Sequence, residues 1–163
     1  MLIRRITKSY AFEAAHRLMH HRGACSNLHG HSYKVEVEVT GRLQREGPAE
    51  GMVLDFGDLS KVVRPLIEEF DHRLVLSHDD PLCELLSGKE GVALNVMSDV
   101  PTAENMAAYL AKRIQEKLNE ESTREGMRYT VNGENRKAFN GESAVTKVTV
   151  WETSTSRATW ELR

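Results

Sequence analysis

Tyr33-Lys34-Val35-Glu36-Val37-Glu38-Val39-Thr40 alternates valine with charged side chains at every step. Successive side chains of an extended chain point to opposite faces, so this octapeptide predicts a strand with one apolar and one charged face. Upstream, Ile6 to His16 keeps the same period, with Tyr10, Phe12 and Ala14 on one side and Ser9 and Glu13 on the other. An irregular stretch holding Gly23, Cys25 and Asn27 separates the two.

Downstream the period changes. Leu59, Val63, Leu66 and Phe70 recur at helical spacing behind Asp55, an N-cap residue type, and Pro65 is expected to kink that helix. Thr102 after Pro101 can cap a second helix, in which Ala107, Leu110, Ile114 and Leu118 form one apolar stripe. Residues 119–143 are polar and contain three glycines, which predicts a long connection with a short strand over Met127 to Val131. Val145 to Trp151 alternates again, and Arg157 to Leu162 predicts an edge strand. Strand, strand, helix, helix, strand, strand predicts an α+β fold: an antiparallel sheet with both helices on one face.

Length and charge bound the class. The 163 residues suit one domain over 1–163, since chains near this length bury about 70% of their unfolded surface unaided. Basic and acidic side chains number 22 and 24, for a net charge of -2, which points away from nucleic acid or an anionic membrane as partner. No apolar run approaches the roughly 20 residues of a membrane span, and Met1-Leu2-Ile3-Arg4-Arg5 lacks the apolar core of a signal peptide, so a cytoplasmic location is expected. Cys25 and Cys83 show no disulfide-framework spacing and are read as thiols, Cys83 as packing beside Leu82 and Leu85.

The chemistry concentrates in His29-Gly30-His31. Two imidazoles at i and i+2 of an extended chain project to one side, and their parity is that of Val35 and Val37. His16 shares the parity of Phe12, so pairing of the two strands as a hairpin would bring three imidazoles together. Three neutral imidazoles with a vacant fourth position form the pattern of a catalytic zinc site, while structural zinc takes four protein ligands rich in cysteine. His20, His21 and His78 lie in polar stretches and read as solvated.

Four more positions attract notice. Cys25, close to the expected cation, reads as a thiolate base, a fourth ligand or a small buried side chain. Asp71-His72 at the end of the first helix could orient an imidazole for proton transfer. Glu104 falls in the first turn of the second helix, where the helix dipole favours a carboxylate whatever its role. Glu152 has the parity of Val148 and Val150, and a carboxylate on an apolar strand face needs a buried partner such as a guanidine-like ligand edge.

Taken in order, Phe12-Glu13-Ala14-Ala15-His16, Cys25-Ser26-Asn27-Leu28-His29-Gly30-His31, Leu54-Asp55-Phe56, Asp71-His72, Pro101-Thr102-Ala103-Glu104-Asn105 and Trp151-Glu152-Thr153 run through almost the whole chain. In these signatures it resembles the family of 6-pyruvoyltetrahydropterin and 6-carboxytetrahydropterin synthases. The resemblance implies a tunnelling fold (T-fold), in which sheets from three subunits close a barrel and two trimers stack into a hexamer with sites between subunits. It implies Zn2+ on His16, His29 and His31, Cys25 as proton-abstracting base, Asp71 and His72 assisting it, and Glu104 and Glu152 holding or relaying to the pterin, with Glu152 shared between binding and catalysis.

The implied substrate is 7,8-dihydroneopterin triphosphate. Three residues between Cys25 and His29 resemble the bacterial queuosine-pathway members, which implies 6-carboxy-5,6,7,8-tetrahydropterin, acetaldehyde and triphosphate as products. The alternatives are a pyruvoyl-type synthase that eliminates triphosphate only and a non-catalytic zinc-containing pterin-binding protein. Cys25 sets the chain apart from folate-pathway relatives with glutamate there; Phe70 in place of leucine, and longer segments at 77–100 and 119–143, depart from the family pattern.

Overall fold

The computed structural model describes residues 3–123, 128–131, 134–137 and 143–163. The chain runs β1 (Arg4–His16), β2 (His29–Gly41), α1 (Phe56–Glu68), β3 (Arg73–Ser77), α2 (Leu82–Leu86), β4 (Leu94–Met97), α3 (Ala103–Thr123), β5 (Arg128–Val131), β6 (Glu134–Lys137), β7 (Ala144–Trp151) and β8 (Arg157–Glu161). A six-stranded sheet has the order β4-β3-β1-β2-β7-β8, and β5 and β6 form a separate antiparallel pair.

The octapeptide at 33–40 lies at the centre. β2 pairs antiparallel with β1 along its whole length and with β7 on its other side, so Tyr10 and Val150 both lie opposite Val35. Val35, Val37 and Val39 are fully buried. Leu59, Val63 and Leu66 of α1 and Met106, Leu110 and Ile114 of α3 cover this face in one continuous core. Each such aliphatic side chain contributes about 1.5–3 kcal/mol on burial, which offsets the ordering of two long strands.

Both helix starts follow the sequence reading. Asp55 accepts from the backbone N–H groups of Gly57 and Asp58, and Thr102 Oγ1 accepts from that of Asn105 at 3.3 Å. Pro65 lies inside α1 on its exposed side, where the missing donor costs no buried hydrogen bond. Among the described residues no helix is long and apolar enough to cross a membrane.

The α+β class and the two helices on one face stand, but the sheet is mixed. β3 runs parallel to β1, and β4 parallel to β3. A parallel neighbour needs a crossover of a dozen or more residues, and the segment between Ser77 and Leu94, with the short α2, supplies it. The long stretch 77–100 thus builds a sheet edge. Within 119–143, residues 119–123 extend α3, and the expected short strand is β5 over Arg128–Val131; Met127, Gly126, Gly133 and Gly141 lie outside the described residues.

Candidate active site

The β1/β2 register places His16 opposite His29 and Ala14 opposite His31. All three imidazoles therefore meet on the core face, at the loop end of the hairpin. Their ring centroids are 4.5 Å (His16–His29), 5.0 Å (His29–His31) and 5.3 Å (His16–His31) apart, and their ligand nitrogens all lie within 4.8 Å of one another.

Backbone carbonyls fix the rings. The Nδ1 of His16 lies 2.7 Å from the Pro101 carbonyl oxygen, and the Nδ1 of His29 lies 2.8 Å from that of Asn27. Each Nδ1–H donates there, which leaves Nε2 as a lone-pair donor, the arrangement found behind metal-bound histidines. His31 Nε2 is buried with no hydrogen-bond partner. An orphaned buried nitrogen costs about 1–3 kcal/mol, and a cation at the cluster removes that cost. Burial pushes the pKa of His16 down, which keeps it neutral. The donor set therefore fits a divalent metal.

Two oxygens approach the cluster. Glu152, just past the end of β7, places Oε1 3.5 Å from Nε2 of His16 and 3.8 Å from Nε2 of His31. The parity of Glu152 with Val148 and Val150 is what aims it there. The Tyr33 hydroxyl lies 3.2 Å from Nε2 of His16, and its ring stacks on Phe12 with centroids 4.8 Å apart. Burial first, then the charges of Glu152 and Cys25, hold the Tyr33 hydroxyl protonated far above the usual phenol range.

Cys25 sits in a short 3-10 turn (Ala24–Ser26), where its carbonyl accepts from the Leu18 N–H at 2.8 Å. It is half-buried and free, and it does not belong to the three-histidine ligand group. Glu104 is exposed in the first turn of α3, three residues beyond the carbonyl that holds His16. His20, His21 and His78 are exposed. Cys83 is half-buried and its thiol donates to the Ser77 carbonyl, while Leu85 beside it is exposed.

Asp71 and His72 occupy the turn between α1 and β3, beside the Glu13 backbone of β1. Asp71 Oδ1 accepts from the Glu13 N–H at 2.9 Å and lies 3.0 Å from Nδ1 of His72, while the His72 N–H donates to the Glu13 carbonyl at 2.6 Å. The Glu13 N–H first, and His72 after it, hold the Asp71 carboxyl below the usual range. These bonds keep His72 at φ 56°, a left-handed conformation uncommon outside glycine. Its ring is 79% exposed, against 1% for His16. An open cleft of about 610 Å³ is lined by Glu13, Gly30, His31, Ser32, His72 and Leu74, among others.

Residues 5–162 match the family model described as 6-pyruvoyl tetrahydropterin synthase. The chain belongs to this family. A probable 6-carboxy-5,6,7,8-tetrahydropterin synthase of Halobacterium salinarum is 40% identical over 108 residues, covering 66% of this chain and 67% of the relative. The 6-carboxy-5,6,7,8-tetrahydropterin synthase of Aquifex aeolicus is 33% identical over 175 residues and 96% of each chain. The structure of Caenorhabditis elegans 6-pyruvoyl tetrahydropterin synthase superposes with a TM-score of 0.62 at 25% identity, covering 100% of this chain and 98% of that one.

Sequence reasoning missed three parts of this family member's site: the Tyr33 hydroxyl and the carbonyls of Asn27 and Pro101. Tyr33 shares the parity of His29 and His31, a signal that could have found it. The carbonyls carry no side-chain signal at all.

Proposed function

We propose that this chain is a zinc-dependent 6-carboxy-5,6,7,8-tetrahydropterin synthase, a lyase that converts 7,8-dihydroneopterin triphosphate and water to 6-carboxy-5,6,7,8-tetrahydropterin, acetaldehyde and triphosphate. The observation that carries it is the buried trio of imidazoles with one orphaned nitrogen, in a chain similar to 6-carboxytetrahydropterin synthases along nearly its full length. His16, His29 and His31 hold the metal. Bound there with one position open, zinc supplies Lewis-acid stabilisation of negative charge on a side-chain oxygen of the substrate.

The protein's own groups do the rest. Cys25, outside the ligand set, takes the carbon-bound proton. Glu152 accepts hydrogen bonds from the guanidine-like edge of the pterin, a charge-assisted pairing that fixes the ring beside the cluster. Glu104 supports the same ring. Asp71 keeps His72 oriented for proton transfer, and the exposure of that dyad fits a site completed between subunits of a homo-oligomer, a hexamer of two stacked trimers.

Mass spectrometry of the products formed from 7,8-dihydroneopterin triphosphate, with and without chelator, tests this reading. Acetaldehyde and a carboxypterin, lost on chelation, are expected. A pyruvoylpterin would make the chain a triphosphate-eliminating synthase, in line with its likeness to the C. elegans protein. Bound but unchanged pterin would make it a binding protein.

A further inference from the structure

The Glu152 carboxylate approaches two of the three ligand nitrogens, 3.5 Å from that of His16 and 3.8 Å from that of His31. A carboxylate so placed can swing onto a metal at the cluster and close it as a four-ligand site. Closed sites of that kind are structural, since substrate has no vacant position. Something must keep Glu152 off the metal. A group placed to do so is Tyr33, whose hydroxyl lies 3.2 Å from Nε2 of His16, the same nitrogen that Glu152 Oε1 approaches to 3.5 Å. Once a metal takes the His16 lone pair, that nitrogen no longer accepts. A hydroxyl on a side chain only 1% exposed then needs another acceptor.

Resting on the metal reading above, we infer that Tyr33 is a positioning residue: its hydroxyl donates to Glu152 in the loaded site and holds that carboxylate away from the metal, preserving the open coordination position. The Tyr33 ring is fixed for this task. It stacks on Phe12 at 4.8 Å with an interplanar angle of 15° and meets the rings of His16 and His31 edge-on, at 5.9 and 5.5 Å. Tyr33→Phe therefore removes one oxygen while keeping the packing.

The test uses cobalt(II), whose visible spectrum reports coordination, with azide as the probe of an open position. Wild type, Tyr33→Phe and the double variant Tyr33→Phe/Glu152→Gln are loaded with one equivalent and titrated with azide. Tyr33→Phe is expected to weaken azide binding by about tenfold, the scale on which groups behind a metal site act, and the double variant to restore it. Azide affinity within threefold of wild type overturns the inference, as does a weakening that Glu152→Gln does not relieve. Loss of cobalt from Tyr33→Phe would make Tyr33 a support for the histidines and also overturns it. Wild type that takes up no cobalt, or a His29→Ala variant that retains it, fails the metal site itself, a separate outcome.

Discussion

Two clusters at the loop end of the β1/β2 hairpin carry chemistry of different kinds. On the helix-covered face, His16, His29, His31, Tyr33 and Glu152 converge, and every ring is held by packing or by a backbone carbonyl. In the other cluster, Asp71 and His72 hang on two bonds to the Glu13 backbone, and the Glu13 side chain accepts from the Ser32 hydroxyl at 2.7 Å. Two residues of β1, Ala14 and Ala15, separate Glu13 from His16, and one open cleft is lined by both His31 and His72. The helix-covered face preorganises three imidazole donors in a geometry that fits a metal, for which an error of a few tenths of an ångström matters. The second cluster presents an exposed dyad, with the His72 side chain 79% exposed.

The largest expected effect comes from breaking the buried face. His29→Ala should lose bound zinc and fall to background turnover together, and elemental analysis that still found one zinc per chain would remove His29 from the ligand set. Next, Cys25→Ala should keep the zinc and bind pterin, yet lose ~10² to 10⁴ in rate, the span of general-base catalysis; zinc lost with the thiol would make Cys25 a ligand instead.

The division between the two clusters sharpens in a mixing experiment. Cys25→Ala and His72→Ala, each nearly inactive, are unfolded and refolded together. Subunit interfaces that pair an intact Cys25 with an intact His72 should restore a fraction of wild-type activity. Mixed oligomers seen by mass spectrometry without that recovery would contradict a site shared between subunits.

The smallest effect belongs to Asp71. Its pKa in the folded chain is depressed, so its contribution to stability is full above the unfolded value of about 3.9 and is lost as pH falls through the lower folded value. Between pH 5 and that range, the melting temperature of wild type should fall more steeply than that of Asp71→Asn. Parallel curves would show that the Glu13 N–H gives the carboxylate no preference over the amide.

Much of the fold was legible because its longest elements have a single period. Val35 to Val39, Tyr10 to Ala14 and Val148 to Val150 alternate without interruption, and the structure buries each set together. β3 and β4 were not legible. Leu74-Val75-Leu76 is too short and too uniformly apolar for a period to separate strand from helix, and its place beside β1 depends on a crossover that closes far along the chain. The same contrast holds within the site. His16, His29 and His31 are named by parity on two strands that pair directly, whereas Pro101 reaches His16 across 85 residues of sequence.

The sequence by itself therefore determined the side chains on each face of the central strands, and with them the imidazole trio and the carboxylate aimed at it, since alternation is a local property of extended backbone. Only the tertiary structure decided which nitrogen of each ring is free, which edge of the sheet runs parallel, and that Asp71 and His72 hang on the Glu13 backbone with the His72 ring exposed. Those outcomes depend on backbone carbonyls, crossovers and a left-handed turn, for which residue type along the chain carries no code.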